Sequence, residues 1–386
     1  MRRPKLDRVA NINDLREIAR RRTPRIFFDY VDGGSYSEAT MRANVTDFDK
    51  WGFAPRFLVD VSGRSLNSTI LGRPTKLPFM IAPTGLAGML WPSGEVAGAR
   101  AANTAGIPLA LSTVSICGME EVAAATSAGF HFQFAMTRDR GLAEAMLERA
   151  RACGAEAVHF TVDSLIPAMR ERDQRNGLRV MTRPSSRTIM GILAKPGWAM
   201  THMPNGKLPR FGNLPPESGR DIIEQTAAFG RVMEPNITWE HLTWLRRTWK
   251  GKLVFKGTMT IGDAERAVEE GCDAVVVTNH GGRQLDGNLS SIAVLPRIAE
   301  AVGDRTEIIF DSGIRRGTQI AKALALGAHS VMIGRAWLYG LAAGGEAGVA
   351  LAIRLLADEL SITLGSLGLN SIDELRRLGP SLIEPV

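Results

Sequence analysis

Four times along the chain an alanine-rich stretch of helical periodicity meets a glycine and then, two to four residues later, an apolar run: EEVAAATSAGFHFQFA, LERARACGAEAVHFTVD, AERAVEEGCDAVVVTNH and IAKALALGAHSVMIGR. Repetition of this kind marks one supersecondary unit used again and again. Gly129, Gly154, Gly271 and Gly327 stand where a helix needs a left-handed residue at its C-terminal end, a conformation that glycine adopts without steric cost. The runs that follow are almost continuously apolar rather than alternating, as parallel strands covered on both faces should be. LPFMIAP, IPLALST, KLVFKG and TEIIFDSG read the same way, which places eight strands near 78–82, 108–112, 131–134, 157–162, 252–256, 273–278, 307–311 and 330–334. Eight such strands alternating with helices predict an α/β fold, a (β/α)8 TIM barrel.

The same pattern divides the chain, read as one domain over 1–386. Residues 1–75 form a helical lead-in with LREIARR and PRIFFDYV as helix candidates, the barrel takes 76–344, and closing helices follow from 345 to 386. Roughly 90 residues separate the fourth strand from the fifth, far beyond an ordinary crossover, so 175–235 reads as a loop insertion.

Composition changes this picture in one place. Hydrophobic residues at 45% and charged residues at 23% are those of a globular protein and exclude a disordered or disulfide-dense chain. Cys117, Cys153 and Cys272 form no CxxC pair and read as reduced packing residues. The opening residues MRRPKLDRVANINDL lack the apolar core of a secretory signal, and no stretch approaches the ~18 uninterrupted apolar residues of a membrane span. A cytoplasmic protein is expected. The net charge of +7, however, arises locally: between Asp173 and Glu217 there is no acid, while Arg175, Arg179, Arg183, Arg187, Lys195, Lys207 and Arg210 all fall inside the insertion.

In a barrel of this kind the reactive groups come from the C-terminal ends of the strands. Here those ends read Pro83-Thr84-Gly85, Ser112, Gln133, Thr161-Val162-Asp163, Lys256, Thr278-Asn279-His280, Asp311-Ser312-Gly313 and Gly334-Arg335. A single Ser, Thr or Asp at such a point often just caps the next helix. Eight polar ends together, with a lysine and a histidine among them, point to a site. DSGIRRG and MIGRAW follow the seventh and eighth strands, the usual phosphate position, and each offers glycine N–H groups beside an arginine. A phosphorylated ligand is therefore expected. No GxGxxG opens a helix after an early strand, so a nicotinamide dinucleotide is not.

The stretch NHGGRQLDG, continued by DSGIRRGTQIAKALALGA and IGRAWLYGLAAGGEAGV, resembles the FMN-dependent 2-hydroxy-acid dehydrogenase and oxidase family over essentially the whole chain. APTGLAGMLWPSGE and AGIPLALST are similar to its mandelate dehydrogenase-like branch, beside the flavin-type lactate dehydrogenases. The resemblance implies FMN as cofactor, no metal, and oxidation of an (S)-2-hydroxy acid to the 2-oxo acid. It implies that Pro83, Thr84 and Gly85 lie against the flavin, and that Ser112, Gln133, Thr161, Lys256 and Thr278 bond its polar edge. Asp311, Gly313, Arg315, Gly334 and Arg335 would hold the ribityl chain and phosphate. Tyr30, Arg170, His280 and Arg283 match the substrate residues, and a homo-oligomer, often a tetramer, is the family habit.

Elementary chemistry agrees with that assignment. A guanidinium grips a carboxylate in a bidentate way, and each charge-assisted bond contributes about 1.5–3 kcal/mol. Histidine, with a reference pKa near ~6.5, is a neutral base at physiological pH, and Asp163 would orient it and stabilise its protonated form. Lys256 would stabilise negative charge on the reduced flavin.

Two departures bear on the substrate and the acceptor. Where the family usually has a tyrosine two residues after the glutamine of HFQFA, this chain has Ala135, which predicts a bulkier substrate, aryl or long-chain. Gly85 stands where the family's oxidases tend to have alanine and favours a dehydrogenase that passes electrons to a carrier such as a quinone. The mixture of cations and apolar residues in 175–215 suits the anionic inner face of a cell membrane, or else forms an active-site lid. Nucleic acid is not expected as a partner. A hydrogen-peroxide-forming oxidase and a catalytically silent flavin-binding sensor are the competing readings; the first turns on Gly85, and the second gains only from Ala135.

Overall fold

The computed structural model describes residues 6–164, 166–178, 186–202 and 208–386. Its centre is a closed barrel of eight strands: β1 Phe79–Ile81, β2 Leu109–Ser112, β3 Phe130–Phe134, β4 Ala157–Thr161, β5 Lys252–Thr258, β6 Ala274–Val277, β7 Glu307–Phe310 and β8 Ser330–Ile333. Each strand is parallel to its sequence neighbours, and β8 returns to pair with β1. The apolar runs locate every strand to within two residues at either end.

Side chains alternate across the barrel wall. Met80, Ala110, Val254, Val276, Ile309 and Met332 fill the interior, while Phe79, Ile81, Phe132, Val275, Val277 and Phe310 face the surrounding helices. Both sets are apolar, which is why the strands read as continuous runs. Two imidazoles share the interior: His131 Nδ1 and His159 Nε2 lie 3.0 Å apart across β3 and β4. Burial pushes His131 down to about 4 and His159 well below its ordinary value, so the pair is neutral at pH 7.

The lead-in is only partly helical. Helices α1 (Ile12–Arg22), α2 (Arg25–Asp32) and α3 (Ala39–Thr46) give way to a strand, Trp51–Phe53, paired with Ile383–Pro385, and then to a hairpin of Ser68–Ile70 with Arg73–Thr75. The hairpin plugs the N-terminal end of the barrel with Ile70 and Leu71. Glu307 fastens it, accepting from the backbone N–H groups of Leu71 and Gly72 at 2.8 and 3.1 Å. Strands such as STI and RPT carry polar positions and no continuous apolar run to reveal them.

The glycine stops hold in three of the four repeats: Gly154, Gly271 and Gly327 follow their helices with φ of 76°, 82° and 104°. In the first repeat the helix Met119–Ala123 ends well before Gly129. Asn103 Oδ1 accepts from the N–H groups of Ser127 and Ala128 at 2.8 and 3.0 Å, and so satisfies that backbone outside a helix.

The segment between β4 and β5 is more than a loop. It carries helices at Glu171–Arg175, Ser186–Leu193, Pro196–His202, Ile222–Val232 and Trp239–Thr248. Trp198 docks it on the lead-in, stacking on Phe27 at 4.9 Å and donating from Nε1 to the Met89 carbonyl at 2.8 Å. After β8 the helix Arg335–Ser366 runs on into the closing region, broken only by non-helical backbone at Gly344 and Gly345. No described helix is long and apolar enough to cross a membrane.

Candidate active site

The C-terminal ends of the barrel strands surround a cavity of about 550 Å³. One wall is the loop after β6. His280, Gly281 and Gly282 follow one another in the left-handed region, with φ of 58°, 66° and 70°. A Cβ on Gly282 would run into the backbone of Met41, so the loop needs glycine there both for its φ and for its approach to α3. For His280 the conformation is strained, and the surroundings impose it. Thr278 Oγ1 accepts from the His280 N–H at 3.0 Å, Ser312 Oγ from Gly281 at 3.0 Å, and Asn279 Oδ1 from Gly282 at 3.1 Å. Asn279 is itself locked by a reciprocal amide pair with Asn44 at 2.7 and 2.8 Å.

The loop presents the His280 imidazole to the cavity, with Nδ1 2.9 Å from Asp163 Oδ1. That bond assigns the proton of the neutral ring to Nδ1 and leaves the Nε2 lone pair for a ligand. Burial lowers the His280 pKa; Asp163 opposes the shift, and the charges of Lys256 and Arg170 add to it. Burial works against the Asp163 carboxylate in turn, but His280 and Lys256 outweigh it and hold that group below its ordinary value. The result is a neutral base beside an ionised orienting acid.

Three arginines converge beside it. Arg283 Nη1 donates to the carbonyls of Tyr30 and Gly33, and its guanidinium lies 4.7 Å from the centre of the Tyr30 ring. Arg335 donates to the carbonyls of Val31, Gly281 and Gly33 at 2.9, 2.9 and 2.7 Å. Both cations thus hold the C-terminal end of α2, where the helix dipole favours positive charge, and fix Tyr30 against the cavity. Arg170 Nε donates to the Arg283 carbonyl at 3.1 Å. Burial, followed by the neighbouring Arg283 charge, brings Arg170 down to about 10, and Arg335 to about 9 for the same two reasons. The buried Arg170 guanidinium beside that of Arg283 forms a natural seat for an anion; Asp173 approaches Arg170 only to 3.9 Å.

The opposite wall is built for a flat polar ligand. Lys256 is 4% exposed, its Nζ 3.8 Å from Asp311 Oδ2. Gln133 Oε1 accepts from Ser112 Oγ at 3.1 Å and from Thr113 N–H at 3.2 Å, which leaves its amide nitrogen to donate elsewhere. Thr84 Oγ1 and Thr161 Oγ1 line the same cavity yet are buried with no hydrogen-bond partner. An unmet buried polar atom costs about 1–3 kcal/mol, so these hydroxyls call for a bound group with polar atoms of its own. Pro83, Gly85, Gly313, Arg315 and Gly334 complete this wall, with the Arg315 guanidinium 5.6 Å from the centre of the Tyr339 ring.

Of the residues that the sequence nominated, all but Asp163 and Thr278 line this one cavity. Asp163 stands behind His280. Thr278 stands behind the wall rather than on it: its Oγ1 donates to Asp311 Oδ2 at 2.7 Å while accepting from His280 N–H, so the hydroxyl is committed to the protein. Ser312, read from the sequence only as part of a polar strand end, has a φ of 99° and turns its hydroxyl onto the loop. Sequence reasoning missed the Asn44–Asn279 lock and the wall contributed by Phe211, Met233 and Ile237. These carry no local signal, because their partners lie far away in sequence.

The family model described as FMN-dependent dehydrogenase matches residues 19–382. The chain belongs to this family. Among its relatives, the L-lactate dehydrogenase of Caulobacter sp. (strain K31) is 43% identical over 373 residues, 96% of this chain and 97% of that one. Among solved structures, the monotopic membrane protein (S)-mandelate dehydrogenase superimposes with a TM-score of 0.93 at 37% identity, covering 98% of this chain and 100% of that one. A mandelate oxidase with benzoyl-formic acid gives 0.81 at 34% identity, covering 96% and 97%. The dehydrogenase therefore uses FMN, and the unmet hydroxyls of Thr84 and Thr161, the Gln133 amide and Lys256 fit its polar ring system.

Proposed function

We propose that the dehydrogenase oxidises an (S)-2-hydroxy acid with a bulky, apolar or aromatic side chain to the 2-oxo acid, and passes the electrons to a membrane carrier of the quinone class. The observation that carries this reading is the lining of the cavity, which brings His280, Arg170 and Arg283 together with the apolar Ala135, Met136, Phe211, Met233, Pro235 and Ile237. Bound FMN supplies a two-electron acceptor. The chain's own residues do the rest: Arg170 and Arg283 hold the carboxylate, His280 Nε2 takes a proton from the substrate, and Asp163 stabilises the imidazolium that results. Lys256 places a fixed positive charge where reduction makes the cofactor negative.

This apolar lining supports the larger of the two substrates in the relatives' names. A methyl group, as in lactate, would leave it largely uncovered, whereas an aryl ring would bury apolar area worth about 25 cal/mol per Å². Ala135→Tyr would push a phenol into that space. The variant is expected to lose tenfold or more in kcat/KM on aryl 2-hydroxy acids while keeping its rate on lactate; an unchanged order of preference would contradict the assignment. Gly85 supports the dehydrogenase reading, and its setting is tight: a Cβ there would lie 2.8 Å from Val114 Cγ2 and 3.4 Å from Tyr30 Oη.

Peripheral membrane contact rests on the helices Ser186–Leu193 and Pro196–His202. Ile189, Met190, Leu193 and Met200 are 46%, 69%, 66% and 76% exposed, within the stretch that has no acid. Apolar side chains flanked by cations are suited to the anionic inner face of a cell membrane. Arg179, Arg183 and Lys207 lie outside the described residues. The wild-type protein is expected to co-sediment with vesicles containing anionic lipid, and the double variant Met190→Glu with Leu193→Glu to stay in the supernatant. Equal partition of the two would contradict membrane contact through these helices.

A further inference from the structure

Asp32 lines no part of the cavity, yet three side chains from three other segments meet at its carboxylate. Arg16 of α1 binds it through Nε at 2.5 Å and Nη2 at 2.8 Å. Arg172 Nη1 reaches Oδ2 at 2.9 Å, and Tyr339 Oη donates to Oδ1 at 2.8 Å. The Asp32 side chain is 4% exposed, and Arg172 bridges onward to Glu38 Oε2 at 2.5 Å. Burial alone would raise the Asp32 pKa; the bonds from Arg16, Tyr339 and Arg172 reverse that and bring it to about 2.

The position of this cluster gives it a role. Asp32 is two residues beyond Tyr30 on the last turn of α2, and Arg172 is two residues beyond Arg170, at the start of the helix Glu171–Arg175. Tyr339 stands one helical turn after Arg335. The segments that present Tyr30, Arg170 and Arg335 to the cavity are therefore joined behind it by one carboxylate. The other Arg172 bond goes to Glu38, in the turn before α3, and at the far end of the same helix Asn176 Nδ2 donates to Asp29 Oδ2 of α2 at 2.8 Å.

We infer that Asp32 is a positioning residue for substrate: through Arg172 it sets the place of the Arg170 guanidinium relative to Tyr30, and so the seat of the substrate carboxylate. This rests on the proposed role of Arg170. Lys256, Gln133, Thr84 and Thr161 bond to no member of the cluster, and the cofactor wall meets it through the Arg315 guanidinium, 5.6 Å from the centre of the Tyr339 ring.

The test uses the FMN-loaded protein with Asp32→Asn, Arg172→Gln and the double variant, and Arg170→Met alongside. Each of the first two is expected to raise KM for the 2-hydroxy acid tenfold or more, with kcat within threefold and with FMN content and flavin spectrum unchanged. The double variant is expected to be no worse than the poorer single one, because both changes break the same link. A lowered thermal midpoint with KM unmoved in both singles would overturn the inference and leave Asp32 merely structural; so would fully additive effects. Arg172→Gln is the exposed-side control should Asp32→Asn fold poorly, and an unmoved KM in that variant alone overturns the role. If Arg170→Met also leaves KM unchanged, the proposed carboxylate seat fails; if Arg170→Met raises it and the cluster variants do not, only the positioning role fails.

Discussion

His280→Gln is expected to lower kcat/KM by about 10²–10⁴-fold, the contribution of a well-placed general base, while FMN stays bound. Glutamine can donate to Asp163 but has no nitrogen that takes up a proton. The pH profile separates this loss from general damage. Burial holds the wild-type His280 below its ordinary 6.5, with Lys256 and Arg170 adding to the effect and Asp163 opposing it. The base is neutral, and therefore competent, above that lowered pKa. As pH falls through it, the imidazole protonates and kcat/KM declines, so the acid limb is expected below pH 6.5. His280→Gln should lack that limb. A variant that kept the same limb would show that another group is the base.

Lys256→Met should be the second large effect. The ammonium is buried, and its only ion pair in the described structure is to Asp311 at 3.8 Å. Removing a preorganised charge at a site where charge develops costs about 10²–10³ in kcat. It should also lower the midpoint potential of the bound flavin, because the reduced form loses its counter-charge; each tenfold loss in that equilibrium is ~30 mV for a two-electron couple. Dye-equilibrated reduction measures this directly. An unchanged potential with a depressed rate would place Lys256 in substrate binding instead.

The order of legibility follows from where each signal resides. Barrel strands were readable because a strand covered on both faces must be apolar throughout, and that demand is met within five or six consecutive residues. The site residues were readable because the barrel puts them all at one end of such runs. What stayed hidden depends on partners far apart in the chain: Asn44 with Asn279, Asp32 with Arg16 and Arg172, and Phe211 and Met233 with Ala135. Thr278 shows the limit inside a recognised motif. Its position in the signature marked it as important, but only the geometry shows its hydroxyl turned to Asp311 and the His280 backbone.

Arg283 and Arg335 illustrate a second kind of limit. A sequence can nominate a cation for an anionic ligand, and the cavity does contain both side chains. It cannot reveal that the same guanidiniums also hold the carbonyls at the end of α2. Substitution at either position is therefore expected to disturb Tyr30 along with the anion site, which makes Arg170 the cleaner probe of carboxylate binding.

The most direct measurement is anaerobic mixing of the FMN-loaded dehydrogenase with a panel of (S)-2-hydroxy acids while the absorbance of oxidised flavin is followed. Rapid bleaching is expected, fastest with acids bearing an aryl or long apolar side chain and slower with lactate. Flavin that stays oxidised with every member of the panel would contradict the proposed oxidation.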